Sequence, residues 1–245
     1  MPPDRPRTYQ SSPTILPLTP MPLWQTALFF AIPAIVIALG FLVVLPALQA
    51  QGMERMIAFT LVDVVCVGSL APAALIGMVI EGRPLNWTSI RLRLRLKPIF
   101  DANWNWLLFG ILAFVGTYYA GLWLVSALTM QYGLTFPDTA YPLVAGSTIN
   151  RIFWFINLVI GLVSEELWWR GYVLPRQELV HGKRTWLLHG LLWVLVHVGF
   201  SGWFAIVLII PSLILSFIAQ GLRSTSTGLA MQTFLNIMNL ILGGF

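Results

Sequence analysis

The sequence predicts an all-α protein, a polytopic transmembrane helical bundle of about seven spans with a cytoplasmic N-terminus. Of the 245 residues, 58% are hydrophobic and 9% are charged, whereas roughly a quarter are charged in an average soluble domain. Seven runs carry few or no charges, and most are near the ~20 residues that a helix needs to cross a bilayer. The basic residues lie mainly between these runs, as the bias that sets membrane orientation requires. A soluble globular protein is excluded.

The chain begins with a segment that differs from the rest. Residues 1 to about 23 hold seven prolines together with Ser and Thr, which predicts a disordered leader. The run that follows is too long for the core of a signal peptide, so we expect an anchor that is retained. The predicted spans are 24–48, 56–80, 104–130, 152 to about 174, 186–200, 203–222 and 228–245, of which the short run 186–200 is alternatively re-entrant.

The positive charges indicate the orientation and the partners. With the N-terminus inside, twelve basic residues lie on the inner side and only Arg55 and Arg151 lie outside. The net charge of +5 therefore indicates a lipid bilayer as partner and no nucleic acid. We expect an integral, multi-pass protein of a bacterial cell membrane. Cys66 is the single cysteine, which excludes an intrachain disulfide, and we expect it to serve packing.

The segment 90–97 alternates strictly between apolar and basic residues. If the segment is extended, all of its cations lie on one face. The sequence leaves two interpretations open, a cationic face on anionic headgroups and a solvated loop on the positive inner side.

Polar residues inside apolar runs are the strongest functional signal in a membrane protein, because each is costly there unless it is paired or hydrated. Counted from the nearest inner-side basic residues, Glu165, His197, Gln232 and Asn236 all fall at roughly 14–20 Å depth. They can therefore share one pocket in the middle of the membrane. The remaining polar residues of the runs are Glu166, Arg170, Asp63 and Asn239.

Each of these residues also has an ordinary structural interpretation. Glu166 and Arg170, four residues apart, are expected to form a structural ion pair. If Glu165 has no functional role, it is a hydrated or snorkelling glutamate. In the same case, the side-chain amides of Gln232 and Asn236 form hydrogen bonds between helices. Nothing near Asp63 in the sequence gives it a role. The other two histidines, His181 and His189, are expected at the surface or at helix ends.

The deep polar set contains the parts needed for peptide hydrolysis without a covalent intermediate. A carboxylate at this depth can take a proton from water, an imidazole can hold that water, and amides can donate hydrogen bonds to the oxyanion. Other intramembrane chemistries lack a component. No histidine follows Ser201 to act as its base, and there is no H-E-x-x-H motif, no Gly-Asp pair and no lysine within a span.

Three short motifs resemble the CAAX proteases and bacteriocin-processing enzymes, the CPBP or Abi family of glutamate intramembrane proteases. The family's E-E-x-x-x-R motif is intact in Glu165-Glu166-Leu167-Trp168-Trp169-Arg170. Its F-x-x-x-H motif resembles the stretch from Trp193 to His197, with Trp in place of Phe. Its third motif, a histidine four residues before an asparagine, resembles the pair Gln232 and Asn236, with Gln in place of His.

The resemblance covers about 150–245 and implies a catalytic helical core there, preceded by further transmembrane helices over 24–130. It implies that Glu165 activates water, that His197 positions it and that Asn236 helps bind the oxyanion. Glu166 and Arg170 would support the site, together with Gln232 and Trp193. One histidine with carboxylates falls short of the usual catalytic zinc set, so we expect no metal and no other cofactor.

The resemblance implies an intramembrane endopeptidase. Its expected substrate is a membrane-associated protein or peptide, either a prenylated CAAX protein or an exported peptide precursor. The alternative is a catalytically impaired family member that acts as a membrane binding, scaffold or immunity protein, which the glutamine at position 232 keeps open. A transporter that uses Glu165 as a proton site is the third interpretation.

Overall fold

The computed structural model describes residues 17–99, 103–133 and 148–242, and all regular structure within these ranges is helical. The predicted all-α class is therefore confirmed for the described part of the chain. The α-helices are α1 (Leu23–Leu39), α2 (Leu45–Ala50), α3 (Arg55–Cys66), α4 (Leu70–Ile80), α5 (Trp87–Arg93), α6 (Trp104–Tyr132), α7 (Thr148–Glu166), α8 (Leu174–His181), α9 (Thr185–Ser201), α10 (Ile209–Leu222) and α11 (Thr225–Ile241).

Some of these helices are joined by tighter or wider helical turns. Two π-helical turns, Gly40–Val44 and Leu167–Val173, continue α1 into α2 and α7 into α8. Two 3₁₀ turns, Gly182–Arg184 and Gly202–Leu208, lead into α9 and α10. The chain thus passes from α7 to α10 without leaving helical geometry.

Four helical stretches among the described residues are long and apolar enough to cross a membrane: Leu23–Ala50, Arg55–Ile80, Trp104–Tyr132 and Thr148–Leu222. The fourth has 75 residues and would measure roughly 110 Å as one straight helix, so it must fold back within a bilayer. The chain is an integral, multi-pass membrane protein. Length and apolarity do not give the predicted count of seven spans. The predicted spans 152–174, 186–200 and 203–222 belong to this one continuous stretch, and α11, at the predicted span 228–245, has only 17 described residues and is too short to be counted.

Large apolar side chains cover the outside of the bundle. Ile80 at the end of α4 and Trp123 and Met130 on α6 are each more than 70% exposed. In water such a surface would aggregate, whereas hydrocarbon is its natural solvent. The exposed surface therefore agrees with a bilayer environment.

The buried residues form two clusters. The larger one packs α1, α3, α4 and α9 around the π turn Leu167–Val173, whose Trp169 stacks on Phe30 at 4.5 Å between ring centroids. The smaller one packs α6, α10 and α11 around Phe114 and Leu215. The polar residues predicted from the sequence lie where α7, α9 and α11 meet between these clusters.

The predicted leader is only partly described, since 1–16 lie outside the described residues. The end of the leader is not disordered. Met21 is fully buried and its main-chain N–H donates to the carbonyl of Arg176, whose side chain in turn donates to the carbonyl of Thr19. Residues 19–21 are therefore held against α8 by one main-chain and one side-chain hydrogen bond, which composition does not reveal.

The segment 90–97 is not the extended strip with one cationic face that alternation predicts. Its first part is helical, because Asn86 caps α5 by accepting a hydrogen bond from the main chain of Ser89. Most of its cations face protein groups: Arg93 donates to Glu81, Arg95 donates to Glu178, and Lys97 donates to the carbonyl of Leu222. Arg93 is buried, so both interpretations offered by the sequence are wrong for this residue, whereas for the exposed Lys97 they stay predictions.

Candidate active site

The two adjacent glutamates lie where α7 widens into a π turn. Glu165 and Glu166 are the last residues of α7, and the π turn Leu167–Val173 follows directly. A π turn inserted in an α-helix is frequent at functional sites, because the extra residue redirects the side chains that follow it. Here it carries Arg170 into the protein interior, where this residue is 1% exposed.

Glu166 and Arg170 form the buried ion pair expected from their spacing. Arg170 Nη1 lies 3.0 Å from Glu166 Oε1, and neither side chain is more than 1% exposed. The guanidinium also lies over the ring of Trp193 on α9, 4.8 Å from its centroid. None of the three guanidinium nitrogens has a well-aligned hydrogen bond to a described residue. Charge attraction and the aromatic face therefore compensate the burial of this cation.

Helix α11 completes the surroundings of Glu166. The side-chain amide of Gln232 donates a hydrogen bond to Glu166 Oε1. One turn earlier, Gly228 lies so close that a Cβ at that position would overlap Glu166 Oε2. The absence of a side chain at residue 228 is thus what lets α11 approach the buried carboxylate.

Glu165 faces His197 of α9. Glu165 Oε1 and His197 Nε2 are 3.9 Å apart, and the side chains are 13% and 9% exposed. His197 Nδ1 lies 2.9 Å from the main-chain oxygen of Trp193. Because a carbonyl oxygen only accepts, Nδ1 donates, and in the neutral ring Nε2 is left as an acceptor directed at Glu165.

The two asparagines of α11 lie further along the helix. Asn236 donates from Nδ2 to the main-chain oxygen of Gln232 at 2.9 Å. Asn239 accepts a hydrogen bond of 2.7 Å from the hydroxyl of Tyr119 on α6. The structure thus joins Gln232 to the buried ion pair, while Asn239 belongs to a separate contact with α6.

Comparison with known proteins identifies the region that contains these residues. Residues 147–238 match the family model of the type II CAAX prenyl endopeptidase Rce1-like proteins. Over these residues the chain is similar to the Rce1-like domain of the CAAX protease family. The resemblance inferred from the motifs is confirmed, and the family consists of membrane endopeptidases.

The chain also has a weak similarity to one transporter. Over 112 residues the chain is 26% identical to nicotinamide riboside transporter 1 of Saccharomyces cerevisiae, covering 44% of this chain and 18% of the transporter. The chain thus spans less than a fifth of that protein. No solved structure matches.

The Rce1-like domain contains a buried histidine that sequence reasoning misplaced. His189 does not lie at the surface or at a helix end: it is fully buried within α9, two turns before His197. Its Nδ1 lies 2.7 Å from the side-chain oxygen of Gln177, and its ring meets Phe30 edge-on. The prediction failed because proximity to basic loop residues does not report which face of a helix packs inward.

Asp63 is the polar residue for which the sequence predicts no role, and the structure places it beside the Rce1-like domain. Its Oδ2 lies 2.9 Å from the position that a Cβ on Gly161 would occupy, and Asp63 interacts electrostatically with Glu165. The sequence does contain a signal for this position, namely the depth of Asp63 in its apolar run. Counted from Arg55, which the sequence predicts on the outer side, Asp63 has a depth of about 12 Å, which is at the level predicted for the other deep residues in a ~30 Å core.

No group of three or more His, Cys, Asp or Glu side chains among the described residues is arranged to hold a metal ion. The expectation that no metal is required stays a prediction.

Proposed function

We propose that this protein is an intramembrane endopeptidase in which Glu165 activates water for attack on a peptide bond. One observation carries the proposal. Inside an Rce1-like domain, a nearly buried carboxyl group faces an imidazole whose other nitrogen is fixed on the protein backbone. An orienting group behind the base is a general feature of sites that activate a nucleophile.

The distance between Glu165 and His197 suits a water molecule better than a direct contact. The 3.9 Å between Glu165 Oε1 and His197 Nε2 is too long for a hydrogen bond, and one water can bridge polar atoms at such a separation. Both atoms accept hydrogen bonds, so a bridging water would use both hydrogens on them. Its lone pairs would then be free to attack a carbonyl carbon.

The chemical step follows from this arrangement. Glu165 takes a proton from water while the water oxygen bonds to the carbonyl carbon of the substrate. The resulting oxyanion needs hydrogen-bond donors, and the Nδ2 amide of Asn236 has a second N–H besides the one that binds the carbonyl of Gln232. Breakage of the C–N bond with protonation of the amine nitrogen completes hydrolysis.

Glu166, Arg170 and Trp193 support the site without taking part in the step. The ion pair fixes the π turn that follows Glu165, and Trp193 connects the guanidinium to the carbonyl that orients His197. Gln232 donates to Glu166, so its amide supplies there the hydrogen bond that a histidine could also donate. We therefore infer that the glutamine is compatible with catalysis.

The substrate class follows from the family and from the environment. Rce1-like proteins act on membrane-associated proteins, and the site lies within a helical stretch apolar enough to span a bilayer. We propose a membrane-associated protein or peptide as the substrate, either a prenylated CAAX protein or an exported peptide precursor, in a bacterial cell membrane.

The test is quantitative profiling of peptide termini in membranes from cells that express the wild type, Glu165→Gln or Glu178→Gln at matched levels. The control makes the same chemical change at a carboxylate that pairs with Arg95, away from the site. New termini are expected with the wild type and the control and not with Glu165→Gln, since an amide cannot accept the proton of water. Identical termini from all three proteins would refute the proposal.

A further inference from the structure

A second acidic side chain reaches the same site from another helix. Asp63 belongs to α3, and its Oδ2 lies 2.9 Å from where a Cβ on Gly161 of α7 would be. Gly161 precedes Glu165 by four residues, which places both on one face of α7. The glycine therefore leaves space for a carboxyl group one turn before Glu165.

The direction of helical side chains brings the two carboxyl groups toward each other. Side chains in an α-helix lean toward the N-terminus and cover the preceding turn. The side chain of Glu165 accordingly leans over Gly161, where Asp63 approaches, and the two acids interact electrostatically. His197 faces the same carboxyl group of Glu165.

The charged and titratable groups around Asp63 include no ion-pair partner for it among the described residues. Cys66, on the same helix, and Glu165, on α7, interact electrostatically with Asp63, whereas Glu166 and Arg170 act on Glu165. Arg170 pairs with Glu166, and His197 is the partner of Glu165. Two neighbouring carboxylates in an apolar setting repel each other, and the repulsion is removed when one of them holds a proton.

We propose that Asp63 is the general acid of the hydrolysis, a role that rests on the proposed function of Glu165. Glu165 takes a proton from the attacking water, and Asp63 gives its proton to the leaving amine nitrogen as the C–N bond breaks. Glu165 gains the proton that Asp63 loses, so the pair keeps one proton throughout. Transfer of that proton from Glu165 back to Asp63 restores the starting state.

The test uses a prenylated CAAX peptide with a fluorophore and a quencher on the two sides of the scissile bond. Asp63→Asn is expected to lower kcat about 10²–10⁴-fold with little change in KM, because an amide cannot donate the proton. Gly161→Ala is expected to lower kcat as well, since its Cβ would displace Asp63 Oδ2. The control is Thr60→Val, which removes a hydrogen bond to Asn157 in the same α3–α7 contact and should keep kcat.

A second probe separates acid catalysis from a structural effect. In this probe an aryl ester replaces the scissile amide, because an aryloxide leaves without first receiving a proton. Asp63→Asn should cleave the aryl ester within about tenfold of the wild-type rate, whereas Glu165→Gln should lose both activities. Equal loss on amide and ester, or no loss on either, would overturn the proposal for Asp63 and leave that for Glu165 intact.

Infrared spectroscopy of the lipid-embedded protein at neutral pH tests Asp63 without any substrate. The C=O stretch of a carboxylic acid is expected in the wild type and in Thr60→Val, and it should disappear in Asp63→Asn. A spectrum that the substitution leaves unchanged would overturn the proposal, even if neither probe is cleaved and the proposed function itself fails.

Discussion

Removing the charge of Glu166 should destabilise the whole protein. In Glu166→Gln the guanidinium of Arg170 stays buried, and it keeps the face of Trp193 but loses its ion-pair partner. Breaking a buried ion pair by changing one partner costs about 3–5 kcal/mol, because an uncompensated charge remains. For a chain of this size each kcal/mol corresponds to about 2–4 °C in Tm, so a fall of roughly 6–20 °C is expected.

The assay is thermal unfolding in detergent, with the double variant Glu166→Gln/Arg170→Met as the matched control. Replacing both partners removes the orphaned charge, so the double variant should be more stable than Glu166→Gln alone. Cleavage should fall in both variants, because the π turn behind Glu165 is no longer fixed. The reasoning is refuted if Glu166→Gln unfolds at the wild-type temperature, or if the second substitution lowers Tm further.

Three other predictions follow from contacts of the same region. Gln232→His should keep Tm within a few degrees and cleavage within about tenfold, because imidazole can also donate to Glu166; a loss of cleavage beyond tenfold at unchanged Tm would contradict this. Gly228→Ala should lower the free energy of unfolding by about 1–3 kcal/mol, since its Cβ overlaps the fixed carboxylate of Glu166; an unchanged Tm would show that the helices separate freely. Burial raises the pKa of Glu81, but its hydrogen bond with Arg93 and the charges of Arg93 and Arg176 outweigh this and lower that pKa below 4.5. The stability that Glu81 contributes is therefore fully present above about pH 4.5 and is lost as pH falls through the lowered value; Glu81→Gln should lower Tm at pH 7 and flatten its decline in acid, and parallel Tm curves for the two proteins would refute the assignment.

The sequence predicts the parts of the site that depend on local spacing and on depth. The pair of Glu166 and Arg170 follows from four-residue spacing in a helix, and the approach of His197 to Glu165 agrees with their similar distances from the charges predicted on the inner side. Both arguments need only the geometry of one helix and the thickness of a bilayer. They succeed because neither depends on how the helices pack laterally.

What the sequence did not give are the contacts set by lateral packing. Asp63 is 98 residues from Gly161 along the chain, and no periodicity states which helix α3 will face. His189 has the same ambiguity, since α9 is apolar around most of its circumference. The position of Gly228 four residues before Gln232 was readable as one face of a helix, but only the structure shows that the carboxylate of Glu166 occupies the space beside it.

The failure of the alternation pattern at 90–97 has a physical cause that connects the basic residues of this segment to the candidate site. Pro175 has no N–H, so the carbonyl of Gly171 cannot receive its usual helical hydrogen bond from the residue four positions later. The side chain of Arg93 donates to this region of the backbone, at 3.1 Å from Gly171 O and 3.4 Å from Tyr172 O.

Glu81 holds this arginine in place with a bidentate contact of two 2.7 Å hydrogen bonds. The pair therefore stabilises the C-terminal end of the π turn that carries Arg170 inward. Glu166 lies at the opposite, N-terminal end of this turn. A charge pattern that suggests lipid contact instead supplies a side-chain donor to backbone carbonyls of the π turn that follows Glu165. Weakening the pair of Glu81 and Arg93 should accordingly change the position of Glu165 through the backbone of the π turn, although neither residue contacts Glu165 in the described structure.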